Sequence, residues 1–132
     1  MHINLESDYA IRLVRVLAMA EDRLDSNTLA KRSNVSLRFT LKIMQKLVAA
    51  DVVVSYKGAH GGYQLAKPAN ETTLRQVIEA VEGEYRFSRC LQGDYDCKCP
   101  EGHCCVVQKV FNDISQMVTE KLDSITFDQL IG

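Results

Sequence analysis

The chain has 132 residues, of which 46% are hydrophobic and 25% are charged, the balance of an ordinary globular domain. This composition excludes a disordered, collagen-like or low-complexity chain, and the length is enough for one domain with its own core. No apolar run approaches the roughly 18 residues of a membrane span, and the N-terminus lacks the basic start and apolar core of a signal peptide. We therefore expect a cytoplasmic protein with no membrane partner.

The net charge of −1 conceals an uneven distribution of charge along the chain. Residues 26–67 contain seven basic residues and one acidic residue, Asp51, so this segment carries +6 and the remainder carries −7. A basic middle between acidic flanks is typical of a chain that binds nucleic acid locally while its overall charge stays small.

Apolar periodicity predicts two helices in the first third of the chain. Residues 8–20 repeat apolar side chains at the spacing of one helical face, and Ser7 or Asp8 can cap the start. Asp25-Ser26 then caps a short helix over residues 27–32.

A third helix is predicted over residues 37–50, after a turn that ends in the capping residue Ser36. Its inward side is expected to consist of Leu41, Met44, Leu47 and Val48. The polar positions outside that stripe are Arg38, Thr40, Lys42, Gln45 and Lys46.

A β-hairpin is predicted next, with strands over residues 52–56 and 63–65 joined by a glycine-rich turn. Thr73 and Gln76 form a capping box for a helix that reaches Glu82 and is stopped by Gly83. Beyond a cysteine-rich segment, apolar residues recur at helical spacing for about four turns. Thr126 with Gln129 can cap a last, short turn.

Two short helices, a tight turn, a longer helix and a hairpin describe a winged helix-turn-helix. The predicted fold class is therefore mainly α with a small β-hairpin, followed by a long C-terminal dimerisation helix. We expect a DNA-binding domain over residues 1–83, a cysteine-rich cluster-binding loop over 84–105, and the dimerisation helix and tail over 106–132.

The predicted partner is double-stranded DNA with a palindromic operator. The third helix is expected to enter the major groove, and the glycine-rich wing is expected to approach the backbone or minor groove closely. The expected contacts are Ser36, Arg38, Thr40, Lys42, Lys46, Lys57, His60 and Gly61. A protein–protein module with solvated lysines is the alternative interpretation.

The apolar stripe of the last helix predicts a homodimer, because a domain this small has little core left to cover it. Winged-helix repressors that read palindromes also need two-fold symmetry. The expected interface residues are Val107, Phe111, Ile114 and Val118. Packing of this stripe on its own chain is the alternative.

All five cysteines lie in one window of 16 residues: Cys90, Cys97, Cys99, Cys104 and Cys105. Clustered thiols in a reducing compartment are typical of metal or redox sites. The spacing of Cys90, Cys97 and Cys105 suits a loop around an iron–sulfur cluster, and no pair forms a good zinc knuckle. Zinc and direct thiol oxidation remain alternatives.

A thiol oxidoreductase is disfavoured because no C-x-x-C motif begins a helix, so we expect no enzyme.

Four segments spread over the chain match motifs of a known family. They are residues 6–12 (ESDYAIR), 35–44 (VSLRFTLKIM), 57–68 (KGAHGGYQLAKP) and 77–83 (VIEAVEG). With the cysteines and the last helix, they resemble the Rrf2 family of bacterial transcription regulators. The resemblance implies a homodimeric winged-helix regulator that senses iron–sulfur cluster supply, iron, redox state or nitric oxide through a [2Fe-2S] or [4Fe-4S] cluster. Other members carry no cluster and sense cysteine metabolism.

The resemblance also implies a set of ligands. The family's three ligand cysteines correspond to Cys90, Cys97 and Cys105, and the alternates are Cys99 and Cys104. Some members use a histidine three residues after the last cysteine, but Gln108 stands there. Others use an acidic residue near the start of the first helix, supplied by the partner subunit, and Asp8 matches that position. A carboxylate is a hard ligand that is easily displaced, which suits a labile sensor.

Overall fold

The computed structural model describes residues 2–87, 91 and 104–131, with side chains from residue 106 onward in the last range. Its elements are α1 (Leu5–Met19), α2 (Ser26–Ser33), α3 (Leu37–Ala49), β1 (Val53–Tyr56), β2 (Gly62–Leu65), α4 (Leu74–Glu82) and α5 (Cys104–Ser124). Short 3-10 turns follow β2 at Ala69–Glu71 and α5 at Phe127–Leu130. The predicted fold class, mainly helical with a two-stranded antiparallel hairpin, is confirmed.

Polar side chains cap the helices that build the DNA-binding part of the chain. The Asp25 carboxylate accepts a hydrogen bond from the Thr28 N–H at 2.8 Å, and hydrogen bonding with the Thr28 side chain and with this N–H lowers the pKa of Asp25. The cap of α1 differs from the prediction, because Asn4 Oδ1 accepts from the Ser7 N–H at 2.8 Å. Asn is as good a cap as Ser or Asp, so α1 begins at Leu5 and Asp8 lies inside its first turns.

The core forms where α1, α3 and α4 meet. Its fully buried side chains include Leu13, Val14, Ile43, Met44, Leu47, Val77 and Phe127. The predicted inward side of α3 is rotated relative to the observed one. Met44 and Leu47 are buried as expected, but Leu41 is exposed and Val48 is only half-buried. Thr40, Ile43, Met44 and Leu47 share the i, i+3, i+4, i+7 face instead.

The residues after α5 also belong to this core. The Leu74 N–H donates to the Ile125 carbonyl at 2.9 Å, and the Phe127 N–H donates to the Thr72 carbonyl at 3.0 Å. The Arg15 side chain adds a hydrogen bond to the Leu130 carbonyl at 2.7 Å. The unit predicted over residues 106–132 therefore ends inside the winged-helix core. Thr126 precedes the short turn at the capping position, as predicted, but its side chain makes no capping hydrogen bond.

The wing is the hairpin of β1 and β2, paired from Val53 opposite Leu65 to Tyr56 opposite Gly62. Leu24, just before α2, adds a bridge to Tyr63 through hydrogen bonds of 2.8 and 3.1 Å. This close approach requires glycine, because a Cβ at Gly62 would lie 2.6 Å from the Leu24 carbonyl oxygen and φ there is +146°. The wing is therefore fastened to the helical part at its base.

Candidate nucleic-acid interface and sensing segment

The outward side of α3 carries the basic residues that were predicted to contact DNA. Arg38 and Lys42 lie one helical turn apart and are exposed, and Lys46 lies one turn further along. Ser36 precedes them, and its hydroxyl accepts the Phe39 N–H at 3.2 Å as the cap of the helix. These residues share the side of α3 that faces away from the core.

Thr40 is a correction to the predicted DNA contacts. Its side chain is 0% exposed and lies on the buried face of α3 with Ile43 and Met44. Among the described residues, its hydroxyl finds no hydrogen-bond partner. The polar residue type suggested a surface position, but helical phase decides which way the side chain points. Thr40 cannot reach a base edge or a phosphate from this position.

Glu6 on α1 binds two of the predicted DNA-contacting lysines. Lys42 Nζ lies 2.6 Å from Glu6 Oε1, and Lys46 Nζ lies 2.7 Å from Glu6 Oε2. The hydrogen bonds from Lys42 and Lys46 lower the pKa of Glu6 from 4.5 to about 2. One carboxylate therefore offsets one of the two positive charges and joins the start of α1 to the outer side of α3.

An aromatic contact lies beside this ion pair. The rings of Tyr9 and Phe39 meet edge to face with centroids 5.5 Å apart. The Arg12 guanidinium lies 5.5 Å from the Tyr9 ring centre and binds the Asp8 carboxylate at 2.9 Å. The candidate fourth ligand Asp8 is therefore held by Arg12 in the described chain, and both side chains are about half-exposed.

The tip of the wing presents the other predicted DNA contacts. Lys57 and His60 are exposed in the turn between β1 and β2. Gly61 is explained by the hairpin itself, because a Cβ there would lie 2.4 Å from the Tyr56 carbonyl oxygen. The sequence did not single out Arg23, whose guanidinium stacks over the Tyr56 ring at 3.4 Å from its centre and adds a positive charge beside the wing.

The exposed apolar stripe of α5 differs from the predicted dimer residues. Phe111 is half-buried against Phe87, with ring centroids 5.1 Å apart, and Ile114 and Val118 are also half-buried. Val107 is exposed, as are three residues that share one helical face. Those three are Val106, Val110 and Met117, with exposed fractions of 67%, 49% and 69%.

The predicted ligands Cys90, Cys97 and Cys99 lie outside the described residues, and Cys104 and Cys105 form the first turn of α5. Within the described ranges, no group of three or more His, Cys, Asp or Glu side chains is placed to hold a metal ion. None of the helices in these ranges is long and apolar enough to span a membrane.

Comparison with known proteins decides the family. The profile of the Rrf2 family, described as iron-dependent transcriptional regulators, matches residues 3–132. The chain belongs to the Rrf2 family. The HTH-type transcriptional regulator IscR of Pectobacterium carotovorum is 29% identical over 134 residues, which cover all of this chain and 80% of that protein. Protein rrf2 of Nitratidesulfovibrio vulgaris is 27% identical, covering 99% of this chain and 87% of its own length.

Two solved structures share the fold of this chain. The global cysteine regulator CymR of B. subtilis superposes with a TM-score of 0.75 at 23% identity, covering 98% of this chain and 95% of CymR. IscR of T. potens superposes with a TM-score of 0.73 at 23% identity, covering 98% and 85%. The predictions of a winged-helix DNA-binding transcriptional regulator, and of no enzyme, are confirmed by the family and these relatives.

Proposed function

We propose that this Rrf2-family protein is a cytoplasmic homodimer that regulates transcription in response to iron–sulfur cluster, iron, redox or nitrosative status. The observation that carries the proposal is the concentration of all five thiols in the 16 residues that lead into α5. Thiolates are the soft ligands that iron–sulfur clusters require, and the relatives named IscR belong to the same family.

The residues proposed as ligands are Cys90, Cys97 and Cys105, with Cys99 and Cys104 as alternates. When bound, the cluster supplies an iron centre whose oxidation, nitrosylation or loss is the signal. Asp8 is the proposed fourth ligand, supplied by the partner subunit. Within the described ranges its half-exposed carboxylate forms an ion pair with Arg12 at the surface, and such a pair contributes little stability that a cluster would have to replace.

The same helix supports the proposed homodimer. Val106, Val110 and Met117 are exposed on one face of α5, where the exposed Asp113 lies between Val110 and Met117, and Val107 adjoins them. Three exposed valine and methionine side chains on one helical face favour a self-complementary contact with a second copy, and two-fold symmetry lets two winged helices read a palindrome. Phe111, Ile114 and Val118 then support the interface from beneath, since each is half-buried.

Anaerobic purification tests the proposed cofactor. We expect a broad absorption band near about 400 to 420 nm, with iron and acid-labile sulfide in about equal amounts. Single Cys→Ser variants at the five positions and Asp8→Ala should then separate ligands from spare thiols. A colourless protein that stays colourless after anaerobic reconstitution would contradict cluster sensing.

Sedimentation analysis tests the proposed dimer. The double variant Val110→Asp, Met117→Asp should sediment as a monomer, because it introduces two charges into the proposed apolar contact. Met19→Asp is the matched control, since Met19 is an exposed apolar residue at the end of α1. A wild-type protein that is monomeric at micromolar concentration contradicts the homodimer.

A zinc-stapled or thiol-oxidising repressor without a cluster is the second candidate. The two cysteines beyond the three proposed ligands favour it, because they can complete a four-thiolate site or form a disulfide. Zinc in the anaerobic protein, or reversible loss of thiols on oxidation with no iron present, supports this candidate.

A further inference from the structure

Two leucines lie on the exposed side of α3, where a recognition helix is expected to be polar. Leu37 and Leu41 are one helical turn apart and are 42% and 41% exposed. The core face of α3 is complete without them, because Thr40, Ile43, Met44 and Leu47 fill it. A single exposed leucine is ordinary, but two aligned leucines on the helix that is proposed to read DNA indicate a contact with a partner.

Cationic side chains flank the two leucines. Arg38 and Lys42 form the neighbouring row of α3, again one turn apart and exposed. On the opposite side, Lys31 of α2 and Leu37 line the same groove between α2 and the start of α3. An apolar edge with Arg38 and Lys42 on one side and Lys31 beyond Leu37 on the other is compatible with the major groove, where base edges lie between two phosphate backbones.

The major groove offers one apolar group to such an edge. Thymine carries a C5 methyl group there, and aliphatic side chains recognise it by contact. Recognition helices of the helix-turn-helix class present their N-terminal residues to base edges, and Leu37 is the first residue of α3.

We propose that Leu37 and Leu41 are specificity-determining residues that read thymine methyl groups in each half-site of the operator. The proposal rests on α3 being the helix that this DNA-binding regulator inserts into the major groove. Arg38 and Lys42 then set the register of the helix on the phosphates and guanines, and the leucines select thymine at the adjacent steps.

Replacing thymine by uracil is the direct test, because it removes the C5 methyl group and leaves every hydrogen-bonding group of the base pair in place. The full-length wild-type protein first selects duplexes from a library with about 30 random base pairs, long enough for two half-sites one helical turn apart. Each thymine of the selected duplex is then replaced by uracil, one symmetric pair of positions at a time. We expect one or two pairs to weaken binding about fourfold to tenfold.

Protein variants then assign the effect to the leucines. Leu41→Ala and Leu37→Ala should each bind the thymine duplex more weakly and lose the preference for thymine over uracil at one pair of positions. Both side chains are substantially exposed, so neither substitution opens a cavity in the core. Met19→Ala, an exposed apolar residue on another helix, should keep the full preference.

The outcomes separate this proposal from the assignment on which it rests. A protein that selects duplexes but binds their uracil versions equally well at every position overturns thymine reading and leaves DNA binding intact. A thymine preference that survives in both leucine variants assigns methyl reading to other residues and also overturns the proposal. Failure to select any duplex counts against α3 as the reading helix, and the proposal falls with it.

Discussion

The helix α3, which we propose as the recognition helix, and the wing both present positive charge, but they hold it differently. On α3, Lys42 and Lys46 share the carboxylate of Glu6 at 2.6 and 2.7 Å. At the wing tip, no ion pair within the described part of the chain involves Lys57. The helix therefore carries charge that is partly neutralised and oriented before DNA arrives, whereas the wing carries charge that is free to meet a phosphate.

The two regions also differ in what fixes their shape. A buried face with Ile43, Met44 and Leu47 holds α3. The wing packs on the core through Val53 and Leu65 at its base, and it also depends on backbone pairing with Leu24 and on the absence of a side chain at Gly62. This difference predicts that the wing can be damaged selectively, and that the charge on α3 can be changed without damage to the fold.

The largest expected effect is the loss of the wing in Gly62→Ala. The added Cβ would lie 2.6 Å from the Leu24 carbonyl oxygen, at a φ of +146° that L-residues rarely adopt. We expect a loss of about 2 to 4 kcal/mol in the free energy of unfolding, measured by urea denaturation, and weaker DNA binding. Gly58→Ala is the matched control: φ there is +97°, but nothing lies within 4 Å of the added Cβ. Its loss should be only about 1 to 2 kcal/mol, and equal losses would show that φ, not the contact with Leu24, matters.

The second prediction tests whether the charge of α3 is partly neutralised by Glu6. Glu6→Gln removes the carboxylate that neutralises the α3 lysines, so binding to a duplex of random sequence should tighten about fivefold at about 100 mM salt. The plot of log affinity against log salt concentration should also become steeper. Glu71→Gln removes the same charge from an exposed turn and is the control. If both variants tighten binding equally, net charge alone is responsible and the ion pair has no specific role.

A smaller effect compares single lysines of the two regions. Lys57→Ala should lower the slope of log affinity against log salt by about one, as expected for one lost phosphate contact. Lys42→Ala should weaken binding and lower the slope by less, because Lys42 begins in contact with Glu6. Equal slopes for the two variants would mean that Lys42 leaves Glu6 completely when DNA binds. If the slope is unchanged in Lys42→Ala, Lys42 does not contact a phosphate.

The sequence predicted these regions unequally well. Caps, turn glycines and β-branched residues are local signals, so the order of helices, the hairpin and the capping box of Thr73 and Gln76 were all predictable. The phase of α3 was not, because its sequence offers two apolar stripes and only packing against α1 and α4 selects the one that contains Thr40. The pairing of Glu6 with Lys42 and Lys46 joins residues about 40 positions apart, which no local pattern encodes.

The exposed residues of α5 were also not predictable from local sequence patterns. The periodicity identified a helix with apolar residues on more than one side. Phe87 comes from the segment before the cysteines and covers Phe111, with its N–H donating to the Ser115 hydroxyl at 2.7 Å. That contact turns Val106, Val110 and Met117 outward. Which stripe stays uncovered is therefore decided by tertiary contacts.

The smallest predicted effect is a pH dependence of stability that arises from Glu6. Its pKa is lowered from 4.5 to about 2 by the two lysines, so the ion pair stabilises the fold above about pH 4.5 and loses this contribution as the pH falls towards 2. The wild type should therefore lose more stability between pH 6 and pH 3 than Glu6→Gln, as measured by urea denaturation at both values. The difference should be modest, because both lysines are more than a third exposed and solvent screens the pair. Identical pH profiles for the two proteins would mean that α1 is held against α3 by the core and by the Tyr9–Phe39 contact alone.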